Sequence, residues 1–288
     1  MKIVPLLLVV LATLGLAGPS LAGDAPGDAA ALARFQAAHG AGGAVIQHLD
    51  LTRVFQTRTP WALVAVQGPK VKDVYGDDGA PGMIALCLAH EAALDCAGPK
   101  FPSAGGQIAA TPNWDKDIDN HHQLSAMIVA PQPGIARPLL LLTTASLPSG
   151  DGDRLLSMFV LAYDKTTDRF VALFANGTPS NNNQQTRLIE QGPLAGDIIV
   201  DEPTPTAPFG YFITVYRAAP GGAYAPVLRY RSRTGYGDGN PLAVIDSEMP
   251  DILKRLGLWK TGEPLPKPAV MPAACHRLEM RAGVEWCC

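Results

Sequence analysis

Between residues 61 and 230 the apolar residues come in runs of four to seven, set apart by stretches rich in Gly, Pro and Asp. Runs this short suit strands of ordinary length and leave little room for amphipathic helices, which need a longer 3.6-residue pattern. They fall at 61–66, 83–88, 124–130, 138–144, 157–163, 169–175, 186–189, 197–200, 211–216 and 227–230. The clearest pair is 157–163 with 169–175, joined by Asp164-Lys165-Thr166-Thr167-Asp168 as a hairpin loop. The spacing predicts a mainly β chain, a multi-stranded antiparallel sandwich, barrel or propeller-like body.

Two helices are expected beside the strands. An Ala-rich segment over 24–39 carries Leu32 and Phe35 three apart and breaks at Gly40, Gly42 and Gly43. A later one is expected over 250–256, where Ile252, Leu253 and Leu256 share a face, Lys254 and Arg255 suit the last turn, and Gly257 ends it.

The first 22 residues read differently from the rest. Lys2 precedes an apolar stretch over 3–16, and Ser20 and Ala22 occupy the small-residue positions of a cleavage site, so a secretory signal peptide is expected, cut near Ala22. The stretch is shorter than the roughly 18 apolar residues of a membrane-spanning helix, and no span is expected in the mature chain. The expected organisation is a signal peptide over 1–22, a β-rich domain over 23–260, and a Pro-rich, Cys-containing tail over 261–288. The expected location is secreted or periplasmic.

Export gives the five cysteines meaning, because disulfides persist outside the cytoplasm. Cys87 and Cys96 flank a short stretch that reads as a hairpin tip, a spacing suited to a local bridge. Cys275 with Cys287 or Cys288 would tie in the tail and leave one thiol over.

Without residues 1–22, which hold Lys2 and no acid, 22 basic residues face 26 acidic ones, a net charge of −4. No basic stripe of the kind that binds nucleic acid is present. The chain also lacks G-x-S-x-G, H-E-x-x-H, the phosphate loop and G-x-G-x-x-G.

Three clusters carry the candidate chemistry. Asp115, Asp117 and Asp119 alternate as calcium ligands do, but the Gly and Glu that would complete such a loop are replaced by Asn120 and Ala126. Asp238, Asp246 and Glu248 form the second. If 242–248 is extended, Asp246 and Glu248 share a face roughly 6.6 Å apart, a separation suited to acid and base work; the competing reading has Asp246 or Ser247 capping the late helix. The third is Arg229, Arg231 and Arg233, which alternation places on one face of a strand, opposite Leu228 and Tyr230. That face can receive an acidic protein, a glycan bearing sulfate or phosphate, or an anionic surface; alternatively it is a solvated face paired to Asp201 or Glu202.

The resulting expectation is an exported, non-enzymatic binding or interaction module that contacts an envelope or extracellular protein or glycan. The alternative is a carboxylate-based hydrolase of glycans or esters, with calcium as a possible cofactor.

Overall fold

The computed structural model describes residues 33, 36–37, 43–73, 75–90, 95–96, 121–132, 134–149, 154–177, 185–204, 210–232, 244–262, 278–281 and 284–287. It is mainly β, and its strands form three four-stranded antiparallel sheets and two short two-stranded ones. The signal-peptide segment lies outside the described residues. Of the helix expected over 24–39, Ala33, Gln36 and Ala37 are described and all three are helical.

The first sheet joins β1 (Ala44–Asp50), β2 (Trp61–Gln67), β5 (Ile84–His90) and β6 (Asp95–Cys96) in that order. A small hairpin of β3 (Val71–Lys72) and β4 (Asp78–Ala80) is inserted between β2 and β5. The second sheet is an up-and-down run of β7 (Gln123–Val129), β8 (Leu139–Ala145), β9 (Leu156–Asp164) and β10 (Arg169–Gly177). The third is another, made of β11 (Gln185–Leu188), β12 (Ile198–Pro203), β13 (Tyr211–Ala218) and β14 (Tyr224–Arg231). Near the C-terminus, β15 (Leu278–Arg281) pairs with β16 (Val284–Cys287).

Shared side-chain clusters show how the sheets stack. Leu63 and Leu88 of the first sheet meet Leu140, Leu142, Phe159, Leu161 and Phe170 of the second. On the opposite face of the second sheet, Leu139, Leu141, Val160 and Phe174 meet Ile198, Val200, Tyr216 and Tyr224 of the third. The outer face of the third sheet, with Ile199, Ile213 and Val215, packs on Val244, Ile245, Ile252 and Leu253 of the late helix. The second sheet is thus a middle layer buried on both faces, which is why β8 and β9 read as nearly unbroken apolar runs. Among the described residues no sheet closes on itself, so closure into a barrel or propeller is not present.

The hairpin over 157–175 forms as expected, with Asp164 opposite Arg169 in register. Asp164 shapes the loop by accepting bonds from the Thr166 amide at 2.9 Å and the Thr167 hydroxyl at 2.8 Å. The loop closes on Asp168 in the left-handed region, with φ +50°.

The late helix runs over Val244–Arg255 and has Pro250 inside it. It begins six residues before the expected start at Pro250. The reason is burial: Val244 and Ile245 are fully buried against the third sheet, and that apolar contact outweighs the hydrogen bond a mid-helix proline forfeits. Residues 244–248 are therefore helical, and the extended reading of 242–248 does not hold there.

Candidate functional site

One densely hydrogen-bonded side-chain cluster was not anticipated from sequence. It sits where the first and second sheets meet, and Asp168 is its hub. Trp61 opens β2 and His90 ends β5; the two stand opposite each other in register, with ring centroids 4.5 Å apart. Thr59 lies just before β2, in a turn held by the Thr57 hydroxyl donating to the Thr59 carbonyl at 2.7 Å. Tyr163, near the end of β9, projects to the same place.

The Asp168 carboxylate accepts from the Thr59 hydroxyl at 2.7 Å, from the Trp61 indole N–H at 3.3 Å and from the Tyr163 hydroxyl. His90 Nε2 lies 3.6 Å from the carboxylate and 2.6 Å from Thr59 Oγ1. The Arg58 amide donates to the Tyr163 oxygen at 2.8 Å, completing the chain. Burial alone would raise the Asp168 pKa, but the bonds from Tyr163, Thr59 and Trp61, with the charge of His90, outweigh it and lower the value to about 2. Burial, and then the bond to Asp168, raise the Tyr163 hydroxyl above its ordinary value.

Threonine, histidine and aspartate within reach of one another invite comparison with a hydrolytic triad. Such a triad needs the carboxylate on Nδ1 of the imidazole and the hydroxyl giving its proton to Nε2. Here both Thr59 and Asp168 approach Nε2, and the Thr59 proton is directed at the carboxylate. The hydroxyl is not activated as a nucleophile, and a carboxylate with a pKa of about 2 is a poor base near neutrality. The arrangement is a polar clamp that holds the β9–β10 loop to the ends of β2 and β5.

The structure separates the members of the carboxylate group. Asp246 and Glu248 lie two apart on the helix Val244–Arg255, so their side chains leave it roughly 200° apart rather than sharing a face. Asp246 is held by Arg187 of β11 through two bonds, at 2.9 and 2.7 Å. Glu248 is buried and accepts from the Tyr230 hydroxyl at 2.9 Å. Burial first, and then Glu248, push the Tyr230 pKa upward, so this hydroxyl remains a donor. Both carboxylates therefore fasten the helix to the third sheet. Asp238 lies outside the described residues, as do Asp115, Asp117 and Asp119. Among the described residues no group of three or more His, Cys, Asp or Glu is placed to hold a metal ion.

Arg229 and Arg231 alternate on one face as the strand pattern expects, and the pairing of Arg229 with Glu202 is the solvated-face alternative of that reading. Arg229 and Arg231 are exposed at alternate positions of β14, while Leu228 and Tyr230 turn to the helix-facing core. Arg233 lies outside the described residues. Arg229 Nη2 is 3.2 Å from Glu202 Oε2, with both side chains substantially exposed, and its guanidinium stands 5.6 Å from the Phe212 ring centre. Arg231 is opposite Phe212 in register and forms no ion pair among the described residues. Asp201, the other acid considered as a partner, is fully buried and opposite Ile213 on the helix-facing side.

Cys87 is buried on the outer face of the first sheet with Val64, Val66 and Ala89. Cys96 stands opposite Ala89 in register, two residues along β5 from Cys87. Cys287 is opposite Leu278 in the last hairpin, and Cys275 lies outside the described residues. No helix among the described residues is long and apolar enough to cross a membrane. Compared with protein-family models, curated proteins and solved structures, the chain matches none of them.

Proposed function

We propose that this chain is an exported, non-enzymatic binding protein whose arginine face on β14 receives an acidic partner. The observation that carries this reading is the pair Arg229 and Arg231, both exposed at alternate positions of one strand, with Glu202 as the single carboxylate paired to them among the described residues. Arginine suits the role because its planar fork matches carboxylate, sulfate and phosphate groups. Export rests on the basic, apolar and small-residue order of 1–22 and is checked by sequencing the N-terminus of the secreted protein, expected at Gly23. The engagement of Asp246 by Arg187 and of Glu248 by Tyr230 weighs against the hydrolase alternative. The calcium expectation at Asp115, Asp117 and Asp119 is carried by sequence alone. Melting with calcium and then with chelator tests it, since a ligand of the folded form raises Tm.

Retention on immobilised heparin, used as a polyanion, tests the arginine face. With a net charge of −3, or −4 without residues 1–22, the chain has no general attraction for a polyanion, so retention requires a local basic patch. The parent should be retained at low salt, and the Arg229→Glu, Arg231→Glu double variant should flow through with its melting temperature unchanged. Identical elution of the two proteins would overturn the reading.

A further inference from the structure

We infer that the acidic partner is an extended protein segment that adds to the edge of the third sheet beside β14, an inference that rests on the binding function proposed above. Among the described residues β14 pairs with β13 alone and is the last strand in its sheet. An edge strand presents backbone N–H and C=O groups at alternate residues, a template for one more strand. Pro226, which has no N–H to give to a ladder, is tolerated on such an edge. The register shift near Pro226 leaves Val227 as an extra residue and interrupts regular pairing there. The regular edge is thus Leu228–Arg231, a short stretch that holds both exposed arginines.

Charge decides what can pair with it. A second copy of β14 would bring Arg229 and Arg231 against the same residues, and like charges facing each other across strands are destabilising. A strand with acids at alternate positions meets the opposite situation. Its side chains repeat about every 6.8 Å on one face, the same repeat that separates Arg229 from Arg231. The chain itself supplies the matching chemistry: the Glu202 carboxylate already rests on Arg229 at 3.2 Å, reaching past β13. Glu202 is therefore an internal competitor for Arg229, and Arg231 is the first anchor for an incoming carboxylate.

The test is fluorescence anisotropy with a short labelled peptide alternating Glu and Thr, beside the same peptide N-methylated at alternate amides. The alternating peptide should bind the parent, and methylation should abolish binding by removing the main-chain bonds. Arg231→Glu should weaken binding by roughly tenfold or more. Glu202→Gln should strengthen it roughly two- to fivefold, as expected for releasing an exposed ion pair, and the gain should vanish in an Arg229→Ala background. Equal binding of the methylated peptide, or a Glu202→Gln gain that survives Arg229→Ala, would overturn strand addition. Retention on heparin without binding of the peptide would likewise overturn it while leaving the acidic-partner reading in place. Failure of both probes would remove both.

Discussion

Asp168→Asn isolates the charge at the junction of the first two sheets. Asparagine has nearly the same shape and tolerates the left-handed φ of +50° at this position, so the backbone of the loop should be kept. What changes is the hydrogen bonding. Three donors, the Thr59 hydroxyl, the Trp61 indole and the Tyr163 hydroxyl, converge on a group that accepts through both oxygens. An amide offers one oxygen, and its NH2 must face a donor. The pKa gives the size of the effect. Asp168 falls from 3.8 to about 2 on folding. At about 1.4 kcal/mol per unit, this lowering corresponds to about 2 kcal/mol at neutral pH, with partial exposure of the side chain trimming the figure toward 1. Because the folded value is depressed, this stability is fully present above the unfolded pKa and is lost as pH falls from about 4 to about 2. Urea unfolding followed by tryptophan fluorescence should show Asp168→Asn less stable than the parent by about 1–2 kcal/mol at pH 7. The gap should close as pH approaches 2. A variant as stable as the parent at pH 7, or a gap that stays constant on acidification, would refute the clamp.

Gly82→Ala should destabilise the fold by about 1–3 kcal/mol, because its Cβ would lie 2.1 Å from the Pro69 carbonyl oxygen and 2.5 Å from that of Gly68, both rigid backbone atoms; equal thermal melts of variant and parent would refute this. For Arg187→Ala and Asp246→Ala, a double-mutant cycle of unfolding energies should give a coupling of about 1–3 kcal/mol, since the pair is bidentate and Asp246 is mostly buried. A coupling near zero would mean that the helix is held to β11 by packing alone. Peptide mapping of the non-reduced protein should recover Cys87 linked to Cys96, the local bridge expected from their spacing along the chain; recovery of Cys87 with another cysteine would refute that pairing.

The features that were legible in the sequence are those set by near neighbours along the chain. The β9–β10 hairpin was readable because two apolar runs flank a five-residue polar stretch, and Asp164 makes its turn with Thr166 and Thr167. The arginine face was readable because strand alternation is a property of the backbone, which puts Arg229 and Arg231 opposite Leu228 and Tyr230 wherever the strand lies. The late helix was half readable: its apolar face was plain, but Pro250 pointed to a start that burial of Val244 and Ile245 overrode. The sequence by itself thus determined that the chain is mainly β, roughly where the ten strands β2, β5 and β7–β14 lie, and which face of β14 is charged. Only the tertiary structure decided that the second sheet is the middle layer, that Asp246 and Glu248 fasten a helix to a sheet, and that Thr59, Trp61, His90 and Tyr163 gather around Asp168. The reason is separation along the chain: the Thr59–Asp168 bond spans 109 residues, and no local pattern encodes a contact created only when two sheets pack face to face.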